Sequence, residues 1–301
     1  MSYAWRYRRT NYTFDLLDIS YVYLPWLDEA FKDRYLGPSS TIRFSYEDHL
    51  IMRMGFGISY SNKRSESRVS DYYVIRGSVR TAGNFLYGMS KLFHQKPSED
   101  GGYKIFNTRY SQYAKAEFDF VYNHPFSDRN SLVFHTSLGA VVPYGNATIV
   151  PYEERFIIGG ANSVRGWGVT SRLGPGSYKN QYSKIDYENQ SGDIKFVLNL
   201  EARLKLFWKL HAAVFVDAGN IWTIRDYPEQ PGGQFLWSEF YKQLACSYGL
   251  GLRLDFSFFV FRVDVGVKLY DPSYATQRER WRTNLKFRDD VAFNFAVGYP
   301  F

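Results

Sequence analysis

The chain has 301 residues, enough for one large all-β domain or two smaller ones. Aromatic residues make up 19% of it, with 26 Tyr, 25 Phe and 7 Trp, a load that suits strands and interfacial girdles. The formal net charge of +7 is spread along the whole chain with no basic helix and no nucleic-acid-binding signature, which argues against a nucleic-acid partner.

Mean hydropathy is −0.38 and no run of 18 apolar residues occurs, so no transmembrane helix is expected. The single cysteine, Cys246, leaves no intramolecular disulfide to form. It alternates with Leu244, Tyr248 and Leu250 and reads as a small apolar residue on a strand face. The N-terminal stretch MSYAWRYRRTNYTF has no apolar core and no cleavage site. A secreted protein needs such a signal, so the sequence is expected to be a mature or partial chain, or not secreted.

Apolar residues recur at every second position in nearly every ordered-looking segment, which is the strand period. Residues 2–5 read as the stub of a strand, and residues 11–24 as the first full one. In 49–60, Leu50, Met52, Met54, Phe56, Ile58 and Tyr60 oppose Arg53, Gly55, Gly57 and Ser59. Strands are expected next at 71–82, 111–122 and 131–142. A long connection over 143–193 follows. Residues 194–206 alternate most clearly, with Ile194, Phe196, Leu198 and Leu200 facing one way and Lys195, Asn199, Glu201 and Arg203 the other. In 211–222, Val214, Val216 and Ala218 oppose His211, Phe215 and Asp217. Further strands are expected at 244–256, 259–269 and 291–301. The last places Phe293, Phe295, Val297, Tyr299 and Phe301 on one face.

Two features point to a membrane barrel. Each strand pairs an apolar face with one of charges and glycines, as a crowded polar lumen requires. Connections also alternate between short (61–70, 123–130, 207–210, 257–258) and long (25–48, 83–110, 143–193, 223–243, 270–290). Outer-membrane barrels have this rhythm of short periplasmic turns and long external loops. The reading is therefore all-β, an antiparallel transmembrane β-barrel of about ten strands resident in the bacterial outer membrane.

The long connection carries Gly159-Gly160-Ala161-Asn162-Ser163-Val164-Arg165-Gly166-Trp167, three glycines with one always-charged guanidinium. Its glycine spacing fits neither the dinucleotide fingerprint nor a P-loop. This stretch resembles the VRGF/VRGY loop motif of the outer-membrane protein assembly and translocation superfamily, the BamA/TamA-type barrels also called bacterial surface antigens. The resemblance implies that the loop folds back into the lumen. It also implies that Arg165 pairs with an acid on each of the next two strands, at Glu201 and Asp217. Strand parity independently places both carboxylates on the polar face. The strand ending in Phe301 resembles the C-terminal assembly signal of such barrels, with Phe293, Phe295 and Tyr299 as its other aromatics.

The family barrel has sixteen strands and periplasmic POTRA domains. Residues 1–301 are therefore expected to be the C-terminal portion of such a barrel domain. The resemblance implies an insertase or translocase for other proteins. Its partners would be outer-membrane lipid, nascent barrels or secreted passengers, and periplasmic or lipoprotein factors reached through upstream domains. A passive pore or surface-antigen barrel is the alternative. No catalytic residue, metal site or cofactor is expected. The five histidines lack metal-ligand spacing, and neither His135 nor His211 has the lipid-facing parity of a membrane phospholipase.

Overall fold

The computed structural model describes residues 1–23, 48–63, 70–98, 101–105, 108–179, 189–256 and 258–301. Thirteen strands occur among them. They are β1 (Ser2–Tyr7), β2 (Thr10–Val22), β3 (His49–Ser61), β4 (Tyr72–Ala82), β5 (Lys104–Ile105), β6 (Thr108–Tyr110) and β7 (Tyr113–Pro125), followed by β8 (Ser131–Pro143), β9 (Ile194–Phe207), β10 (Leu210–Trp222), β11 (Ala245–Asp255), β12 (Val260–Tyr270) and β13 (Val291–Val297). The main path runs β1-β2-β3-β4-β7-β8-β9-β10-β11-β12-β13, each strand beside its neighbour in sequence apart from the short β5 and β6. β1 and β13 end this path, and β1 does not pair with β13 among the described residues.

Contacts divide the chain into two compact units. The first holds residues 1–60, 76–117 and 139–155, and the second holds 61–75, 118–138 and 156–301. In the second unit, β9 to β13 form an antiparallel run whose register is fixed rung by rung, Val214 opposite Ala202 and Leu250, Val265 opposite Leu250 and Phe293. The burial along this run is the reverse of a soluble sheet. Asn199, Glu201, Asp217, Arg253, Arg262 and Asp264 are buried, while Leu200, Val214, Val216, Leu250 and Phe295 are exposed. Leu250 is 64% exposed and Arg253 0%. A sheet that hides its charges and displays its leucines fits a solvent of lipid on the outside.

In the first unit, β1 and β2 form a hairpin and β2 pairs with β3 across a bulge between Asp15 and Asp18. The polar parity of β3 carries Arg53, which reaches Asp18 at 3.0 Å and also binds Glu154. Lys115 of β7 closes on the same buried Glu154, donating to its backbone oxygen at 2.9 Å. This unit therefore has its own charged network on its polar face.

Several expectations are corrected. Ten strands are read from the alternation, and three more exist. β1 extends the stub at 2–5 to Tyr7, and β5 and β6 arise inside the connection 83–110. That connection also contains a helix, Asn84–Leu92. It begins after Gly83, whose φ of 74° suits glycine and whose Cβ would meet the Ser111 oxygen at 2.3 Å. The last strand stops at Val297 rather than Phe301. Gly298 adopts φ 92° and donates the final rung to the Val260 oxygen at 2.7 Å, and the chain then leaves the sheet. Tyr299 and Phe301 therefore do not continue the apolar face of Phe293 and Phe295. Residues 24–47, 64–69 and 180–188, which include the end of the expected first strand and parts of three connections, lie outside the described residues.

The connection before β13 ends in a short helix, Phe287–Asp290. Arg282 clasps Asp290 with two bonds, of 2.7 and 3.1 Å, and the Lys286 amide adds a third at 2.8 Å. Burial alone would raise this carboxyl, but the hydrogen bonds and charge of Arg282 outweigh it and hold it below the ordinary aspartate value. A depressed folded value means that the stabilisation is present above the unfolded pKa and is lost as the pH falls through the folded one. Pepsin cleavage within 277–290 is therefore expected to rise as the pH falls below about 4, the ordinary aspartate value. The rise should be absent in Arg282→Gln, which should be cut readily at pH 4 as well as below it.

Candidate functional site

The site is built where the loop of residues 156–179 meets the polar face of β9 to β13. The base of the loop is closed by reciprocal backbone bonds between Phe156 and Gly192, at 2.8 and 2.9 Å. Gly159 and Gly160 take positive φ, 121° and 89°. This lets the chain double back so that the Gly160 amide donates to the Trp167 oxygen at 2.6 Å and the Gly159 amide to Ser163 Oγ at 2.8 Å. The tip of the resulting turn is Val164-Arg165-Gly166-Trp167, all four buried.

Glycines in the sheet make room for that tip. A Cβ on Gly266 of β12 would stand 2.1 Å from the Arg165 oxygen, and one on Gly166 would stand 2.5 Å from Ser247 Cβ. In this close approach the Gly166 amide donates to Ser247 Oγ at 3.1 Å and Asn294 of β13 donates to the Arg165 oxygen at 2.9 Å. The loop backbone is thus bonded to β11 and β13 independently of its charge.

Arg165 then reaches the two acids. Its Nε and Nη2 each donate to Asp217 at 2.8 Å, a bidentate pair, and its backbone amide donates to the same carboxylate at 3.0 Å. Its Nη1 donates to Glu201 Oε2 at 2.5 Å. All three side chains are fully buried. The guanidinium carbon lies 3.5 Å from the centroid of the Phe215 ring, which forms the floor of the site. Gly249 admits that ring, since its Cβ would stand 2.4 Å from Phe215 Cζ.

The structure adds residues that alternation alone does not single out. Glu201 accepts from Arg203 at 2.8 Å and Arg253 at 2.9 Å as well as from Arg165. Arg253 also contacts Asp264 at 3.1 Å, Arg262 lies 3.4 Å from Asp264, and Arg262 binds Asn162 of the loop. Asn199 donates to both Asp217 and the Ser163 oxygen. Four guanidiniums and three carboxylates therefore interlock, and charges of both signs are needed to keep any of them there. Arg203, Arg253, Arg262 and Asp264 share the parity of Glu201 or Asp217, which is a visible signal. Their partners depend on register, which is not.

The C-terminal aromatics part company. Phe293 and Phe295 lie on the exposed face of β13. Tyr299 sits over Arg203, whose guanidinium carbon is 4.6 Å from the ring centroid, and donates to Asp255 at 3.3 Å. Phe301 stacks on His135 with centroids 4.6 Å apart and lies 5.6 Å from the Arg203 guanidinium carbon. His135 in turn bonds Asn199 at 2.8 Å. The arginine that links to the loop site through Glu201 is thus also the one beneath the chain terminus.

Comparison with known proteins places the chain in a family. The model of the Omp85 superfamily domain matches residues 9–301. The outer membrane protein assembly factor BamA of Neisseria meningitidis serogroup B is 29% identical over 125 residues, 39% of this chain and 15% of that protein. Among solved structures, BamA from Haemophilus ducreyi lacking POTRA domains 1–3 is similar, with a TM-score of 0.56 at 16% identity, covering 96% of this chain and 51% of that one. CdiB from Acinetobacter baumannii gives a TM-score of 0.39 at 13% identity, covering 98% and 48%. The Haemophilus likeness shows a shared fold. The chain spans about half of each of these structures and less of the curated relative.

Proposed function

Because this chain belongs to the Omp85 superfamily and is therefore an integral β-barrel protein of the outer membrane, we propose that it forms the membrane part of a machine that inserts or translocates other proteins. The observation that carries this reading is the docked loop. Arg165 is fully buried between Glu201 and Asp217, and the loop backbone is bonded to β11 and β13. A loop in a passive pore would serve to narrow the lumen, which asks for no link to the strand at the edge of the sheet, whereas Asn294 of β13 binds this one. A scaffold that keeps its wall rigid while one seam works does need that link.

The seam in this reading is the edge of β13 that has no strand partner among the described residues. The strand has seven residues, is cut short at Gly298, and pairs on one side with β12. Each backbone group left unpaired in lipid costs several kcal/mol, so an incoming strand that supplies partners is strongly favoured. Asn294 ties this strand to the Arg165 oxygen, and the terminus is tied to Arg203 and His135. The loop site thus supports the templating edge from behind. No covalent step is involved. In this proposal residues 1–301 are the C-terminal portion of a larger barrel, and upstream domains recruit periplasmic or lipoprotein partners.

The test is an assisted-folding assay. Full-length protein in lipid vesicles should raise the folding rate of a urea-denatured outer-membrane barrel added from outside, relative to empty vesicles. Steady ion conductance with no gain in substrate folding would favour a passive pore instead.

A further inference from the structure

The helix Asn84–Leu92 is turned inside out for a water-exposed element. Phe85, Met89, Leu92 and the capping Phe93 follow helical spacing and are exposed, Leu92 at 68% and Phe93 at 70%. The one buried residue of the helix is a polar one, Ser90. It receives the Tyr110 hydroxyl at 3.4 Å, and Asn84 accepts from Gln112 and from the Tyr144 hydroxyl.

The register shows which face of the sheet this helix covers. β6 pairs with β3 in parallel, Arg109 beside His49 and Tyr110 beside Leu50. Side-by-side residues point to the same face. His49, Ile51 and Arg53 lie on the face that meets Glu153 and Glu154. Tyr110 therefore lies on the other face, with Leu50, Phe56 and Ile58, and Phe56 and Ile58 are exposed. Tyr110 is itself fully buried, and the helix is what stands over it. Gly83 joins the helix directly to the end of β4, so it begins where the apolar strand face ends.

We propose that this helix is a membrane-interface anchor, lying along the outside of the wall with Phe85, Met89, Leu92 and Phe93 in the boundary between lipid headgroups and acyl chains. The occupant is lipid because the exposed apolar row is continuous with the lipid-facing surface of β3 and β4. A short amphipathic helix of this kind binds by the apolar area it sinks into the boundary. Lys91 fits the headgroup level, its ammonium standing 5.5 Å from the Tyr87 ring centroid and 5.3 Å from that of Tyr103. The inference requires only membrane residence and holds whether or not the barrel inserts proteins.

The test uses nitroxide labels on full-length protein in phosphatidylcholine–phosphatidylglycerol vesicles, with the only cysteine of this chain removed by Cys246→Ser. Labels are placed by Leu92→Cys and, separately, Phe85→Cys. Val79→Cys on the exposed apolar parity of β4 is the lipid reference and Asp128→Cys in the β7–β8 turn the water reference. The ratio of collisions with oxygen to collisions with a water-soluble nickel chelate should be several-fold higher at 92 and 85 than at 128, approaching that at 79. A ratio at both sites equal to that at 128 would overturn the proposal. So would protection from both agents, which would mean that protein, such as a second copy, covers the helix.

Discussion

Arg165→Ala is expected to release the loop tip and to reduce assisted folding more than any single change outside the loop site. It leaves Glu201 and Asp217 buried with one cation fewer, and among the described residues Asp217 then keeps Asn199 as its side-chain donor. Breaking one side of a buried pair costs about 3–5 kcal/mol, which is on the order of 10² to 10⁴ in the equilibrium between docked and released loop. Arg165→Lys is expected to recover little, because an ammonium cannot make the double contact to Asp217 or lie flat on Phe215. Arg165→Glu should be the most severe, since it adds a third negative charge. Folding rates measured in vesicles at equal protein content check the order Arg, Lys, Ala, Glu.

Glu201→Gln is expected to do comparable damage by the opposite imbalance, and to do it in two places. The substitution keeps shape and one acceptor oxygen but leaves Arg165, Arg203 and Arg253 without the carboxylate they share. A buried charge stripped of its partner costs about 3–5 kcal/mol, and in this variant three guanidiniums crowd a neutral amide. Because Arg203 also lies under Tyr299 and Phe301, the chain terminus should loosen together with the loop. Asp217→Asn separates the two effects, since Asp217 contacts Arg165 and Asn199 but not Arg203. Carboxypeptidase release of Phe301 should accelerate more in Glu201→Gln than in Asp217→Asn, which reaches the terminus only through Asn199 and His135, while the loop is released in both. Equal terminus protection in the two variants would show that Glu201 does not join the sites.

The sequence reveals the wall of this fold more readily than its interior. A period of two is unmistakable in β9 to β12 because lipid on one face and packed charge on the other leave few exceptions. For the same reason Glu201 and Asp217 can be placed on the polar face by counting from Leu200 and Val216. What counting cannot supply is register. Gly251 stands opposite Asp264 in the β11–β12 pairing, and only that lateral match explains why it lacks a side chain. Its Cβ would fall 2.0 Å from Asp264 Oδ1 and 2.3 Å from Arg253 Nη1.

Phe215 is an aromatic on polar parity, an anomaly visible in the sequence whose meaning appears only when Arg165 lies on it. The helix Asn84–Leu92 is obscured by Gly88 and Ser90, which make the segment read as a polar connection. At the C-terminus the alternation runs on through Tyr299 and Phe301, yet Gly298 and Pro300 flank Tyr299. Gly and Pro so placed are turn residues, and at this end of the chain they outrank the period.

The most direct measurement of the central claim is the rate at which an external protease cuts residues 156–179 in vesicles carrying wild-type protein, Arg165→Glu, or Arg165→Glu with Asp217→Arg. If the buried guanidinium holds the loop on the wall, wild type resists and Arg165→Glu is cut rapidly. The charge-reversed pair should then regain part of the resistance, since each new charge again meets its opposite. If Arg165→Glu resists as well as wild type, something other than the Arg165 guanidinium holds the loop, and the ion cluster with Glu201 and Asp217 is not its anchor.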